Sequence, residues 1–245
     1  MQSDSIENVF ARAWSLLTKN PVIIVPGLVV GIVVGVIQAL ITPHTVVVDA
    51  ATGDTVATVA GPGRFALAAF VSLVVGVLAF LITETYTTGM AGAAWQTGTT
   101  SLADGSASFR EDAGRLLAAV LLIAVIGIIA AFLTFGLGWL VVLFFSIYVV
   151  PAVVLDNYSA VPALKLSSTI ALKRVLSTII IIVLIGLIGL VLGLLTIPLA
   201  VIPFLGPLIA AVIAQAVTAY ATLVIVGEYL TVRQSPDIIA AGPPA

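Results

Sequence analysis

Apolar residues arrive in long blocks, separated by short polar stretches. A membrane-spanning helix needs about 20 mostly apolar residues, and the pattern predicts six: 21–41, 65–86, 115–135, 137–155, 175–197 and 207–232. The third and fourth form one apolar stretch, divided at Thr134-Phe135-Gly136-Leu137-Gly138, where glycine ends helices. Pro198, Pro203 and Pro207 divide the fifth from the sixth. The apolar segment 199–206 between them is expected at the interface or dipping into the membrane.

Three polar stretches carry a helical period. In 4–20, Ile6, Val9, Phe10, Ala13, Trp14 and Leu17 fall on one face, and Asp4 with Glu7 resembles a capping box. Such a helix is expected on the membrane surface, with Trp14 at headgroup level and Arg12 and Lys19 toward anionic lipid. Segments 106–115 and 159–174 precede the third and fifth spans in the same way, the former with Ser106 or Ser108 as its cap. The chain therefore reads as three units of interfacial helix plus transmembrane hairpin, either a true repeat or a consequence of basic, amphipathic loops. Between spans 1 and 2, residues 42–64 hold two β-branched runs around Gly53-Asp54, which predicts a small β-hairpin. The fold class expected is all-α: one polytopic domain over 1–245, with 233–245 as a flexible tail.

Composition strengthens this reading. Of 245 residues 61% are hydrophobic and 8% charged, far from the roughly 25% charged of globular chains. Charge then gives orientation. With six spans, Arg12, Lys19, Arg110, Arg115, Lys165, Lys173, Arg174 and Arg233 share the side of the two termini, leaving Arg64 opposite. Lys and Arg concentrate in cytoplasmic loops, so both termini are expected in the cytoplasm and the hairpin outside. The charged, Trp-bearing start is not expected to be a cleaved signal.

A net charge of −2 with no basic block argues against nucleic-acid binding. With no cysteine and one histidine, His44, thiol chemistry and two-histidine metal mechanisms are excluded. His44 with Asp49 and Asp54 reads as a solvated loop rather than a weak cation site. No H-E-x-x-H, G-x-S-x-G or phosphate-cradling loop is present. Catalysis, a cofactor and a metal are not expected.

Two features remain. Gly27-x-x-x-Gly31-x-x-x-Gly35 forms a flat stripe along the first span. Such stripes allow close helix approach, either within the bundle or between two copies of the chain. Glu84 and Glu228 are ionisable groups at the cytoplasmic ends of the second and sixth spans. They either pair at the interface with Arg115, Lys173 or Arg174, or share a cytoplasm-facing polar cavity with these cations that receives a lipid headgroup. Gln38 and Gln215 are expected to make interhelical hydrogen bonds, and Pro151 to bend the last turn of the fourth span.

Several segments together resemble a known family: Ala13-Trp14-Ser15-Leu16-Leu17 with Lys19-Asn20-Pro21, Gly89-Met90, Leu102-Ala103-Asp104-Gly105, Pro151-Ala152-Val153-Val154-Leu155-Asp156-Asn157, and Ala163-Leu164-Lys165-Leu166-Ser167. The chain is similar to the membrane domain fused to some bacterial glycerophosphodiester phosphodiesterases, and to related free-standing six-span membrane proteins of unknown function. The resemblance implies architecture and residence in the cytoplasmic membrane. The family's catalytic barrel has no counterpart here, so nothing catalytic carries over. The function expected is a non-catalytic scaffold or interaction module, with a membrane-protein partner or a second copy of itself. The alternative is a transporter or lipid-handling protein with a polar cavity near Glu84 and Glu228.

Overall fold

The computed structural model describes residues 6–41, 46–48, 55–57, 62–202 and 205–233. His44, Asp49, Asp54 and the tail beyond Arg233 lie outside them. Nine helices make up nearly all of what is described: α1 (Ile6–Lys19), α2 (Val25–Ile41), α3 (Pro62–Thr97), α4 (Leu102–Leu133), α5 (Gly138–Ser146), α6 (Val149–Asp156), α7 (Ala160–Lys173), α8 (Val175–Thr196) and α9 (Leu205–Arg233). Short 3-10 turns, Pro21–Ile24 and Ile197–Val201, precede α2 and follow α8. Two three-residue strands, β1 (Val46–Val48) and β2 (Thr55–Ala57), pair antiparallel with Val47 opposite Val56.

Six segments are long and apolar enough to cross a membrane: Pro21–Gln38, Phe65–Thr97, Leu102–Leu133, Gly138–Asp156, Val175–Leu199 and Leu208–Arg233. The protein is a multi-pass membrane protein. Its exterior supports this directly. Leu121, Val125, Ile128, Ile129 and Phe132 of α4, and Val183, Leu187 and Leu190 of α8, are all more than half exposed. Contiguous apolar surface on this scale is not left facing water, whereas lipid chains cover it without cost.

The chain divides into two compact units: Met1–Leu28 with Leu81–Ala245, and Val29–Phe80. The smaller unit contains most of α2, both strands and the first half of α3. Within it Ser72 Oγ donates to Gln38 Oε1 at 3.0 Å.

In the larger unit, burial is concentrated at one end. Val9, Ala13, Leu16 and Leu17 of α1, Met90, Ala91, Ala94 and Trp95 of α3, Leu116 and Ala119 of α4, Val149, Ala152, Val153 and Val154 of α6, Ile170 of α7 and Leu223, Val224, Val226 and Tyr229 of α9 supply its core. The amphipathic face of α1 thus packs on protein, and α1 lies against α9. Trp14 is the large side chain it leaves exposed, and Tyr220 stands edge-on to its ring.

Three elements differ from the sequence pattern. α3 continues to Thr97, past the expected end at 86. Its Thr- and Gly-rich last turns look like a loop but are buried, because Gly89 and Gly92 admit Ser108 and Leu155 against the backbone. Residues 106–115 are not a separate surface helix but the early turns of α4. The helix starts earlier, at a capping box of Ser101 and Asp104, and nothing after Arg115 interrupts it. The fourth span is broken into α5 and α6, for a reason given below.

Candidate functional site

Pro151 is the third residue of α6. It has no N–H for the carbonyl of Ile147, and its ring clashes with that carbonyl. The helix therefore opens at Ile147 and Tyr148, which would leave backbone groups unpaired inside protein, at a cost of about 1–3 kcal/mol each. Ser167 of α7 fills the gap. Its Oγ accepts from the Tyr148 N–H at 3.1 Å and donates to the Phe145 carbonyl at 2.6 Å. One hydroxyl thus substitutes for a missing turn, and it is fully buried.

A second break lies nearby. α7 ends at Lys173 and α8 begins at Val175, with Arg174 in a non-helical conformation between them. The two breaks meet through buried side chains: Tyr148 Oη and Thr178 Oγ1 are 3.1 Å apart, and both residues have no exposed surface. Glu228 of α9 completes the group. It is buried, and Ser177 and Arg174 both lie near enough to act on its carboxyl group. Tyr148 also senses both Glu228 and Arg174. Tyr148, Ser167, Arg174, Ser177, Thr178 and Glu228 form one polar cluster at two interrupted helices. Arg174 and Ser177 are its partly exposed members. The cluster can hold its charge and hydroxyls in a fixed arrangement.

Around this cluster, charged and aromatic groups brace the helices. Arg115 Nη2 is 2.7 Å from Asp112 Oδ1 one turn earlier, and the same guanidinium donates to the backbone carbonyl (3.0 Å) and Oδ1 (2.7 Å) of Asn157. Asn157 adopts the left-handed conformation that ends α6, a position where asparagine is tolerated. Beside it, Asp156 is held by both Tyr229 and Arg233 of α9. Trp95 of α3 donates its indole N–H to the Leu223 carbonyl at 2.8 Å. Arg12 of α1 lies over the Trp95 ring, 4.5 Å from its centroid, and donates to the Trp95 carbonyl at 2.9 Å.

The residues singled out from sequence are thus distributed. Glu228 and Arg174 come together. Arg115 has Asp112 and Asn157 as partners. Lys173 is exposed in the last turn of α7. Glu84 is partly buried in α3, and among the described residues nothing hydrogen-bonds or pairs with it. The glycine stripe is used unevenly. Gly27 is buried against the Gln215 side chain, whereas Gly31 and Gly35 are exposed and Gly35 faces open space. Sequence reasoning passed over Tyr148, Ser167, Ser177 and Thr178. Pro151 was the available signal of a distorted helix, though the groups that Ser167 bonds are the Tyr148 N–H and the Phe145 carbonyl, not the Ile147 carbonyl that the proline frees.

Among the described residues no group of three or more acids or histidines is placed to hold a metal. Comparison with family models, curated proteins and solved structures finds no match to this chain.

Proposed function

We propose that this protein is a non-catalytic module of the cytoplasmic membrane, a scaffold that presents a rigid cytoplasmic end to a membrane-protein partner or to a second copy of itself. Both termini lie in the cytoplasm on this reading, and the β1–β2 pair lies outside. The observation that carries it is the bracing just described. Asp156, Arg115, Arg12 and Trp95 each tie one helix to another, so these groups fix the shape of the packed end. The eight-to-one distribution of cations supports the orientation. Exposed Trp14 and the basic side chains on that face suit anionic headgroups of the cytoplasmic leaflet. Kinship with the membrane domain of glycerophosphodiester phosphodiesterases, and with its free-standing relatives, belongs to the same proposal and fits a role without catalysis.

Crosslinking in intact cells followed by purification of the tagged chain tests this. A defined partner, or a crosslinked pair of the chain itself, is expected. A chain recovered alone and monomeric at native expression level would contradict it.

One observation favours a second reading, a transporter or lipid-handling protein. Glu228 lies beside two interrupted helices, and interrupted helices line binding sites in transporters. Proton flux into liposomes containing the protein, read with a trapped pH-sensitive dye, separates the two. Flux that falls in Glu228→Gln supports transport, and flux equal to that of empty liposomes contradicts it.

A further inference from the structure

α3 carries a polar feature apart from the Glu228 cluster. Glu84 is partly buried, and among the described residues it has no hydrogen-bond or ion-pair partner and no charged group acts on it. One turn later, Thr88 is 0% exposed and its Oγ1 has no hydrogen-bond partner. Most threonines in these helices bond back to a carbonyl one turn earlier; Thr83 and Thr87 of α3 also do not, but Thr88 is the one whose hydroxyl oxygen is fully enclosed. Thr85 donates to the Leu81 carbonyl at 2.6 Å, Thr97 to Ala93 at 3.0 Å, Thr218 to Ala214 at 3.1 Å and Thr222 to Thr218 at 3.0 Å. By that pattern Thr88 would donate to the carbonyl of Glu84, and it does not. Residues four apart share a helix face. Two oxygen-bearing side chains on one helix face are therefore both without partners among the described residues.

We propose that Glu84 and Thr88 are the protein ligands of a small, hard monovalent cation of the sodium type. The charge argues for it. An isolated carboxylate in apolar surroundings is costly, and no lysine or arginine among the described residues offsets this one. A single positive charge balances it, whereas a divalent ion would leave one charge uncompensated. The donors argue for it as well, because carboxylate and hydroxyl oxygens suit hard cations. A proton alone would neutralise Glu84 and leave the Thr88 oxygen unpaired in this arrangement, whereas a cation between them engages both. Glu84 is partly exposed and Thr88 is enclosed, so a cation would arrive at the carboxylate first. Water completes the coordination shell. The inference stands whichever of the two functions above holds.

The test is the thermal unfolding midpoint of the full-length protein in lipid nanodiscs at pH 8, as sodium chloride replaces choline chloride at constant ionic strength. A saturable rise of a few degrees is expected in the native protein, because a ligand that binds only the folded state stabilises it. The rise is lost in Glu84→Gln and in Thr88→Val, weakened in Glu84→Asp, and kept in Glu228→Gln. Should one variant fail to fold, the others still decide. Equal midpoints in sodium and choline for the native protein would overturn the proposal. So would a sodium response that survives in Glu84→Gln or Thr88→Val, which would be a general salt effect.

Discussion

The indole of Trp95 occupies the space that a side chain at Gly227 would need: a Cβ built there overlaps the ring. Two distant parts of the chain meet at this contact, α3 and α9, and the indole N–H locks it to the Leu223 carbonyl. Glycine in a helix interior costs about 1 kcal/mol relative to alanine, so its presence in α9 is explained by the ring.

Gly227→Ala is therefore expected to destabilise the protein despite the better helix propensity. Overpacking of this kind costs about 1–3 kcal/mol. The thermal midpoint in detergent or nanodiscs should fall. A rise would mean that the Trp95 contact does not shape the packed end.

Ser167→Ala leaves the Tyr148 N–H and the Phe145 carbonyl without their shared partner. Each unsatisfied buried group costs about 1–3 kcal/mol. A marked fall in stability is predicted, together with faster hydrogen exchange at Tyr148. Ser168→Ala is the control, since Ser168 only donates to the Leu164 carbonyl of its own helix.

Asp156 and Arg233 should couple. Both are partly exposed, with side-chain accessibilities of 24% and 29%. A double-mutant cycle with Asp156→Asn and Arg233→Gln is expected to give about 0.5–1 kcal/mol, declining as salt is added. Tyr229→Phe should weaken this coupling, because Tyr229 holds the same carboxylate. Strict additivity would remove the brace from the account.

The glycine stripe separates packing within the chain from contact between chains. Gly27→Leu collides with Gln215 and should impair folding, whereas Gly35→Leu meets nothing. If two copies associate through this stripe, Gly35→Leu should abolish their crosslinking while expression and thermal midpoint are unchanged. Crosslinking that persists places the contact elsewhere.

What the sequence revealed follows from what each signal measures. Apolar runs report lipid exposure, so the six spans were legible. The ends of those spans were less so. Thr85–Gly92 reads as polar, yet tertiary packing buries Thr85, Thr88, Gly89 and Met90 and carries α3 through them. The separate helix expected over 106–115 arose from an amphipathic pattern that a continuous α4 also satisfies. At the candidate site, Glu228 and Arg174 stood out because charge is rare in such a chain. Ser167, Thr178 and Thr88 did not, because a hydroxyl in a helix is unremarkable until its neighbours are known. Pro151 announced a distortion, but only the fold brought Ser167 to it.

The central claim is a six-span chain with both ends in the cytoplasm. The absence of native cysteine allows a direct measurement: single cysteines at Ser3, Ala51 and Ser235, each challenged in intact cells with a membrane-impermeant maleimide. The account predicts labelling at position 51 before lysis, and at positions 3 and 235 only after the membrane is opened. Labelling of position 3 or 235 in intact cells, with the other protected, would place the termini on opposite sides and contradict it.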